Sequence, residues 1–208
     1  HILLQNLCAF YDVGEHNEMR LHGADWNDAL DMAWEKGESV AFTCAYAGNL
    51  RNIAKTLRQL EEISGSSKIE IAHEMEDLLA GSVELYEDAA RKQALLAGYA
   101  KKCEHNISGD TIVLRLDQLA ANLEVKADWM MKNIRANKWV KDGEDGWFNG
   151  YYDNHGRKVE GVMDESVRMM LTGQVFAIMS GTATEDQVES ICRSADKYLY
   201  DQKAGGYR

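Results

Sequence analysis

ESVAFTCAYAGNLRNIAKTLRQL, residues 38–60, carries Phe42, Tyr46, Leu50, Ile53, Leu57 and Leu60 at steps of three and four. An α-helix turns once every 3.6 residues, so this spacing gathers the six onto one apolar stripe over about six turns. The stretch predicts a long amphipathic helix and points the chain toward an α fold. On its N-terminal side Leu3, Leu4, Leu7, Phe10 and Tyr11 form a second helical stripe. On its C-terminal side Ser64-Gly65-Ser66-Ser67 breaks the pattern, and two further helical segments are expected, Lys68 to Ala80 and Ser82 to Glu104. Ser108-Gly109-Asp110 marks the next turn. Thr111 to Leu116 is short and β-branched at its start, a strand or an extended lead-in. Leu116, Leu119, Leu123, Ala127, Met130 and Ile134 then trace another long helix.

The composition shifts at Lys141-Asp142-Gly143-Glu144-Asp145-Gly146. Trp147, Phe148, Tyr151 and Tyr152 follow, with turn chemistry in Asp153-Asn154-His155-Gly156, and the segment reads as a β-hairpin. Two helices close the chain, Glu165 to Ser180 and Thr184 to Asp201, the second opened by a capping box of Thr184 and Gln187. The fold class is therefore mainly α, six or seven helices around one β-hairpin. Proline is absent from all 208 residues, where an average chain would hold about ten, and this too disfavours a loop-rich β architecture.

Charge and composition narrow the partners. The 23 Lys+Arg against 34 Asp+Glu leave a net charge of -11 and a pI near 5.0, so the surface repels polyanions and no nucleic acid is expected as a partner. No stretch approaches 18 apolar residues and the first residues lack a signal peptide's order, so no membrane is expected and a cytoplasmic location is. Cys8, Cys44, Cys103 and Cys192 are far apart, with no CxxC pair and no histidine at ligand spacing, and read as reduced core residues without a metal.

The densest polar and aromatic cluster is His22-Gly23-Ala24-Asp25-Trp26-Asn27-Asp28-Ala29-Leu30-Asp31. In a structural role, Asp25 or Asn27 caps a helix running toward Trp34 and the other acids favour its positive end. In a binding role, the Trp26 indole offers the flat apolar face that sugar rings pack on, while Asp and Asn bond hydroxyls. A carboxyl against an indole is also kept protonated near neutral pH, as a general acid must be. Chemistry alone leaves both roles open.

His22 to Asp31, followed by Lys36-Gly37-Glu38-Ser39-Val40, resembles the Gly-Asp-Trp-Asn-Asp-Gly and Gly-Glu-Ser-Val blocks of the inverting glycoside phosphorylases of glycoside hydrolase family 94. Later segments agree in order. Asp145-Gly146-Trp147-Phe148 to Gly161 looks like the family's hairpin, and Leu171 to Gly181 like its Gln-x-x-Ala-x-x-Ser-Gly helix. The resemblance implies a catalytic domain that is an (α/α)6 barrel. A whole barrel needs about twelve helices, which at roughly 11–12 residues each plus connections fill this length or more. Residues 1–208 are accordingly expected to be one partial barrel with a β-hairpin insertion, a fragment of a larger multidomain chain.

Carried over by resemblance, Asp28 is the general acid, and Asp25, Trp26 and Asn27 belong to the sugar-binding wall of the same loop. The co-substrate is inorganic phosphate with a β-linked oligosaccharide, no cofactor or metal is involved, and the full-length protein is a homodimer. Ala29 and Asp31 depart from the family's Gly and Asn, which bears on the acceptor side of the site. Ala-Leu-Asp-Met-Ala after the motif and Leu-Thr-Gly-Gln later resemble the 1,2-β-oligoglucan phosphorylase branch. The family's phosphate-binding His and Thr-Gly motifs have no counterpart in this sequence.

Gln174 lies at steps of four between Met170 and Ile178, an amide on an apolar helical face. It is either a satisfied core amide or a contact in a sugar site. Glu38 either caps the following helix or holds the catalytic loop, with capping the simpler role. The aromatic set from Trp147 to Tyr152 packs in the core or lines a cleft. His155 and the acidic run from Asp142 to Asp145 are expected to be solvated.

Overall fold

The computed structural model describes residues 1–23, 33–163 and 166–208. Among these it contains seven α-helices, one 3-10 helix and eleven short strands, and the mainly α class expected from the sequence holds. The chain divides into two compact units, the first His1–Asn17 with Tyr46–Trp129, the second Glu18–Ala45 with Met130–Arg208. Helices α2 (Val40–Ser64) and α5 (Leu116–Asn137) contribute residues to both.

The first unit holds α1 (Ile2–Tyr11), α3 (Val83–Glu87) and α4 (Ala89–Lys102) beside the pair β3 (Lys68–Ala72) and β4 (Thr111–Arg115). Leu7, Phe10, Tyr11, Leu50 and Leu123, inward positions of the predicted stripes, are fully buried in it, as is Leu78. Phe10 stands edge-on to Tyr86 at 5.0 Å and to Trp129 at 6.3 Å between ring centroids. Two lysines are buried with these rings. Lys92 Nζ lies 4.2 Å above the Phe10 ring and donates to Asn17 Oδ1 at 2.8 Å. Lys126 Nζ donates to Asn122 Oδ1 at 2.8 Å and to the Ala80 carbonyl at 3.1 Å.

Two expectations in this unit are corrected. Lys68 to Ala80 is not a helix of α type: its first five residues are β3, antiparallel to β4 from Lys68↔Arg115 to Ala72↔Thr111, and His73–Leu79 is a 3-10 helix. Ile69 and Ile71 alternate with Lys68 and Glu70, a period of two that suits a strand once Ile112 and Leu114 supply a partner. The same pairing settles Thr111 to Arg115 as a strand. Ser82 to Glu104 is two helices, because Asp88 turns extended and its carboxylate accepts from Arg91 N at 2.9 Å, capping α4.

In the second unit β1 (Met19–Arg20), β2 (Glu38–Ser39) and β7 (Tyr151–Tyr152) form an antiparallel sheet in the order β1-β2-β7. Separate two-stranded pairs are β5 (Trp139–Asp142) with β6 (Asp145–Phe148), β8 (Gly161–Met163) with β9 (Ser166–Arg168), and β10 (Tyr200–Asp201) with β11 (Gly206–Tyr207). Helices α6 (Leu171–Met179) and α7 (Glu185–Tyr198) complete it, with Val40, Cys44, Ile134, Trp147, Phe148 and Ile191 in its main core.

The single hairpin of the sequence reading is thus several. Trp147 and Phe148 pair with Val140 and Trp139, closed by a turn in which Gly143 has φ 64°. Tyr151 and Tyr152 leave that hairpin and pair with Ser39 and Glu38, a long-range partner that local pattern does not reveal. The expected helix from Glu165 begins at Leu171, because Ser166–Arg168 is a strand. The last helix ends at Tyr198 rather than Asp201, and its predicted Thr184–Gln187 capping box is present. Of the four free cysteines only Cys44 is buried; Cys8 and Cys103 are half-buried and Cys192 is exposed, which corrects the reading of all four as core. No described helix is long and apolar enough to cross a membrane.

Candidate functional site

Asp25, Trp26, Asn27 and Asp28 lie outside the described residues. The chain that enters and leaves their segment is described, and it is tightly held. Met19 pairs with Ser39 and Arg20 with Glu38, then Leu21 N donates to the Gly37 carbonyl at 3.0 Å. Gly37 N donates to the Ala33 carbonyl at 3.0 Å, so close that a Cβ on Gly37 would meet the Ala33 Cβ at 2.2 Å. Asn154 Oδ1 accepts from Glu35 N at 2.8 Å and Lys36 N at 2.9 Å. The Asp153-Asn154 turn thus does more than reverse the chain.

Glu38 is buried, and its Oε2 accepts from Glu18 N at 3.0 Å. It does not cap α2. Ser39 does, its Oγ accepting from Phe42 N at 2.9 Å, while Thr43 Oγ1 donates to the Ser39 carbonyl and accepts from Met19 N. The capping expectation was placed one residue early, because the strand register with Tyr152 claims Glu38.

Glu18 is fully buried. Its Oε1 stands 3.2 Å from Lys138 Nζ and accepts from Asn133 Nδ2 at 3.2 Å, while Oε2 has no hydrogen-bond partner among the described residues. Burial pushes the Glu18 carboxyl up to about 7, with Lys138 pulling it down and Glu38 adding to the rise.

A second polar assembly lies along β6, α6 and β8. Glu160 Oε1 accepts from Gly150 N at 2.7 Å, and Oε2 accepts from Met170 N at 2.7 Å and Gln174 Nε2 at 3.3 Å. Burial raises this carboxyl to about 8, against the three N–H donors that favour its charged form. Gln174 is fully buried; its Oε1 accepts from Phe148 N at 2.8 Å and its Nε2 donates to the Phe148 carbonyl at 2.8 Å. Every polar atom of the amide is engaged inside the protein, the geometry of the core-amide alternative. Gly150 and Gly173 let the link between β6 and β7 touch α6, since a Cβ on Gly173 would lie 3.0 Å from the Gly150 Cα. The Gly150 carbonyl accepts from Val40 N at 2.9 Å and Ala41 N at 3.2 Å, satisfying the first turn of α2.

Trp147, Phe148, Tyr151 and Tyr152 are all buried, so they pack in the core and line no cleft. His155 is exposed, and Asp145 reaches Lys197 Nζ at 2.7 Å on the surface. Among the described residues no three His, Cys, Asp or Glu side chains gather as a metal site would. Sequence reasoning missed Glu18, Lys138 and Glu160, which sit at no motif spacing; only their burial distinguishes them.

The described residues thus hold two buried polar assemblies, one about Glu18 and Glu38 and one about Glu160 and Gln174, while backbone bonds and Asn154 hold residues 21 and 33–37. The chain is 24% identical over 201 residues to solabiose phosphorylase of Paenibacillus borealis, which covers 96% of this chain and 19% of that one. It spans about a fifth of that relative's length. Residues 114–206, from β4 through the β10–β11 pair, are similar to the catalytic domain of the glycosyl hydrolase 94 superfamily.

Proposed function

We propose that the protein containing this chain is an inverting glycoside phosphorylase, and that the chain is a part of its (α/α)6-barrel catalytic domain. The observation that carries this is the similarity of residues 114–206 to the glycosyl hydrolase 94 catalytic domain, in a chain whose Asp25-Trp26-Asn27-Asp28 block also resembles that family's. The phosphorylase relative supports the same reaction class.

Asp28 is the general acid in this reading. An inverting hydrolase needs a second carboxylate to activate water, whereas phosphate is already an anionic nucleophile. Phosphate attacks the anomeric carbon from the face opposite Asp28 while Asp28 protonates the departing glycosidic oxygen. A β-glucoside then yields α-glucose 1-phosphate and a shortened sugar, and in reverse Asp28 takes the proton of the acceptor hydroxyl. Trp26 packs on the sugar face and Asp25 and Asn27 bond its hydroxyls, while Gln174 holds Phe148 and Glu160. The substrate of this proposal is a 1,2-β-oligoglucan with phosphate as co-substrate and no cofactor, in a cytoplasmic homodimer.

The test uses the complete protein: phosphate release from α-glucose 1-phosphate with glucose, sophorose or cellobiose as acceptor, and phosphate-dependent cleavage of solabiose. Wild type is expected to turn over, with sophorose the best acceptor, and Asp28→Asn to lose roughly 10²–10⁴ in rate, the usual worth of a general acid. Undiminished turnover by Asp28→Asn, or release of free sugar without phosphate, overturns the reading.

A further inference from the structure

Resting on the phosphorylase reading, in which residues 1–208 are one part of a larger barrel, we propose that the outer face of α6 is a docking face for another helix of the same catalytic domain, contributed by the part of the protein outside these residues.

A helix on a protein surface gathers its apolar side chains on one stripe and turns polar ones to water. Helix α7 does so: of the seven residues it exposes six are charged, Glu189, Arg193 and Lys197 among them. Helix α6, in the same unit, does the reverse. It exposes four residues, Leu171, Val175, Ile178 and Met179, and all four are apolar, exposed to 36%, 40%, 37% and 76%. Apolar residues scattered singly over a surface need no explanation, but these four share one stripe at steps of four, three and one. The opposite face is already covered. Gly173, Gln174 and Ala177 are buried, and the Gln174 amide is bonded to Phe148 and Glu160. Helix α6 is therefore apolar all round, the pattern of a helix enclosed on every side.

The form of the face points to its occupant. Leu171, Val175 and Met179 make a row at i, i+4 and i+8, about 12 Å long, which is the kind of ridge that seats in the groove of a second helix. A second copy of the chain fits less well. A specific interface between two copies takes roughly 20–30 residues a side, and four side chains on a helix of nine residues fall far short of that. They suffice for a neighbour inside one core. A protein built like the phosphorylase relative has such neighbours to offer, since this chain spans 19% of that relative's length.

The experiment measures side-chain access in the complete protein. Met179→Cys and, as the solvent-facing control on α7, Glu189→Cys are treated with a maleimide under native conditions, and labelling is read on the peptide that carries each position. Glu189→Cys is expected to label as fast as the urea-unfolded protein, and Met179→Cys roughly a hundredfold slower or more, as for a group reached only through local opening. That protection is expected to hold when the protein is diluted until it is monomeric by mass photometry. Should Met179→Cys fail to fold, wild type supplies the same readout: hydrogen peroxide gives one oxygen to the Met179 thioether and leaves water, and the sulfoxide is expected to form far more slowly in native protein than in urea. Labelling of Met179→Cys at the rate of Glu189→Cys, or sulfoxide formation at the unfolded rate, overturns the proposal. Protection that vanishes on dilution to the monomer also overturns it, by assigning the face to a second copy. Phosphate release by the same preparations separates the two readings. Turnover with a freely labelled Met179→Cys leaves the phosphorylase standing without this contact, while a protected face in a protein that releases no phosphate keeps the contact and refutes the reaction.

Discussion

Replacing Gly150 by alanine inserts one methyl group where the link between β6 and β7 meets α6. An added Cβ would sit 2.6 Å from Glu160 Oε1 and 3.3 Å from the Gly173 Cα. Neither neighbour can yield freely: Glu160 is held by Gly150 N, Met170 N and Gln174, and Gly173 is backbone inside α6. Overpacking of a closed core costs about 1–3 kcal/mol. Displacing Glu160 also weakens the Gly150 N–H bond to a buried carboxyl that is mostly neutral at pH 7, worth about 0.5–1.5 kcal/mol. The stiffer unfolded chain gives back about 0.4–1 kcal/mol. The expected loss is therefore roughly 1–4 kcal/mol. Urea unfolding followed by tryptophan fluorescence measures it, as a fall in midpoint with the slope unchanged. Gly98→Ala is the control. Gly98 lies inside α4 with nothing within 4 Å of an added Cβ, so alanine there is expected to stabilise by about 0.5–1 kcal/mol. A Gly150→Ala protein within about 0.5 kcal/mol of wild type, the usual spread for harmless substitutions, would falsify the close-approach argument.

Other outcomes follow from single groups. Burial lowers Lys126 to about 7, from 10.5 in the unfolded chain, so between those values the unfolded state binds more protons and stability rises with pH. Urea midpoints at pH 7, 8 and 9 should climb in wild type and climb less in Lys126→Met; equal slopes refute the burial of a neutral amine. Removing the Thr184 hydroxyl as Thr184→Ala takes away the acceptor for Gln187 N and half of the capping box. A loss of about 1 kcal/mol is expected in the same unfolding assay, and none would mean that water caps α7 equally well.

How much of this was legible in the sequence depends on the range of the interaction. The stripes at 2–11, 42–60 and 116–134 became α1, α2 and α5, because one helix face repeats locally every three to four residues. The Thr184–Gln187 box was legible for the same reason, being formed within four residues. Lys68 to Ala72 was not, since a strand of five residues is stable only once Thr111–Arg115 pairs with it across the intervening helices. Glu38 reads from the sequence as a cap for α2 or a hold on the loop, and its bond to Glu18 N and its pairing with Tyr152 come from residues too distant for local pattern to reveal.

Sequence by itself determined the helical class and the chemistry on offer, an indole and carboxylates in one short block beside a net charge of -11. Periodicity and composition suffice for those, because they are properties of neighbouring residues. The tertiary structure alone decided that Gln174 is spent on Phe148 and Glu160, that Glu18 is paired with Lys138, and that Gly150 must be glycine. Each of these depends on which groups lose water together and how closely two backbones approach. Such facts exist only once distant segments are folded against one another.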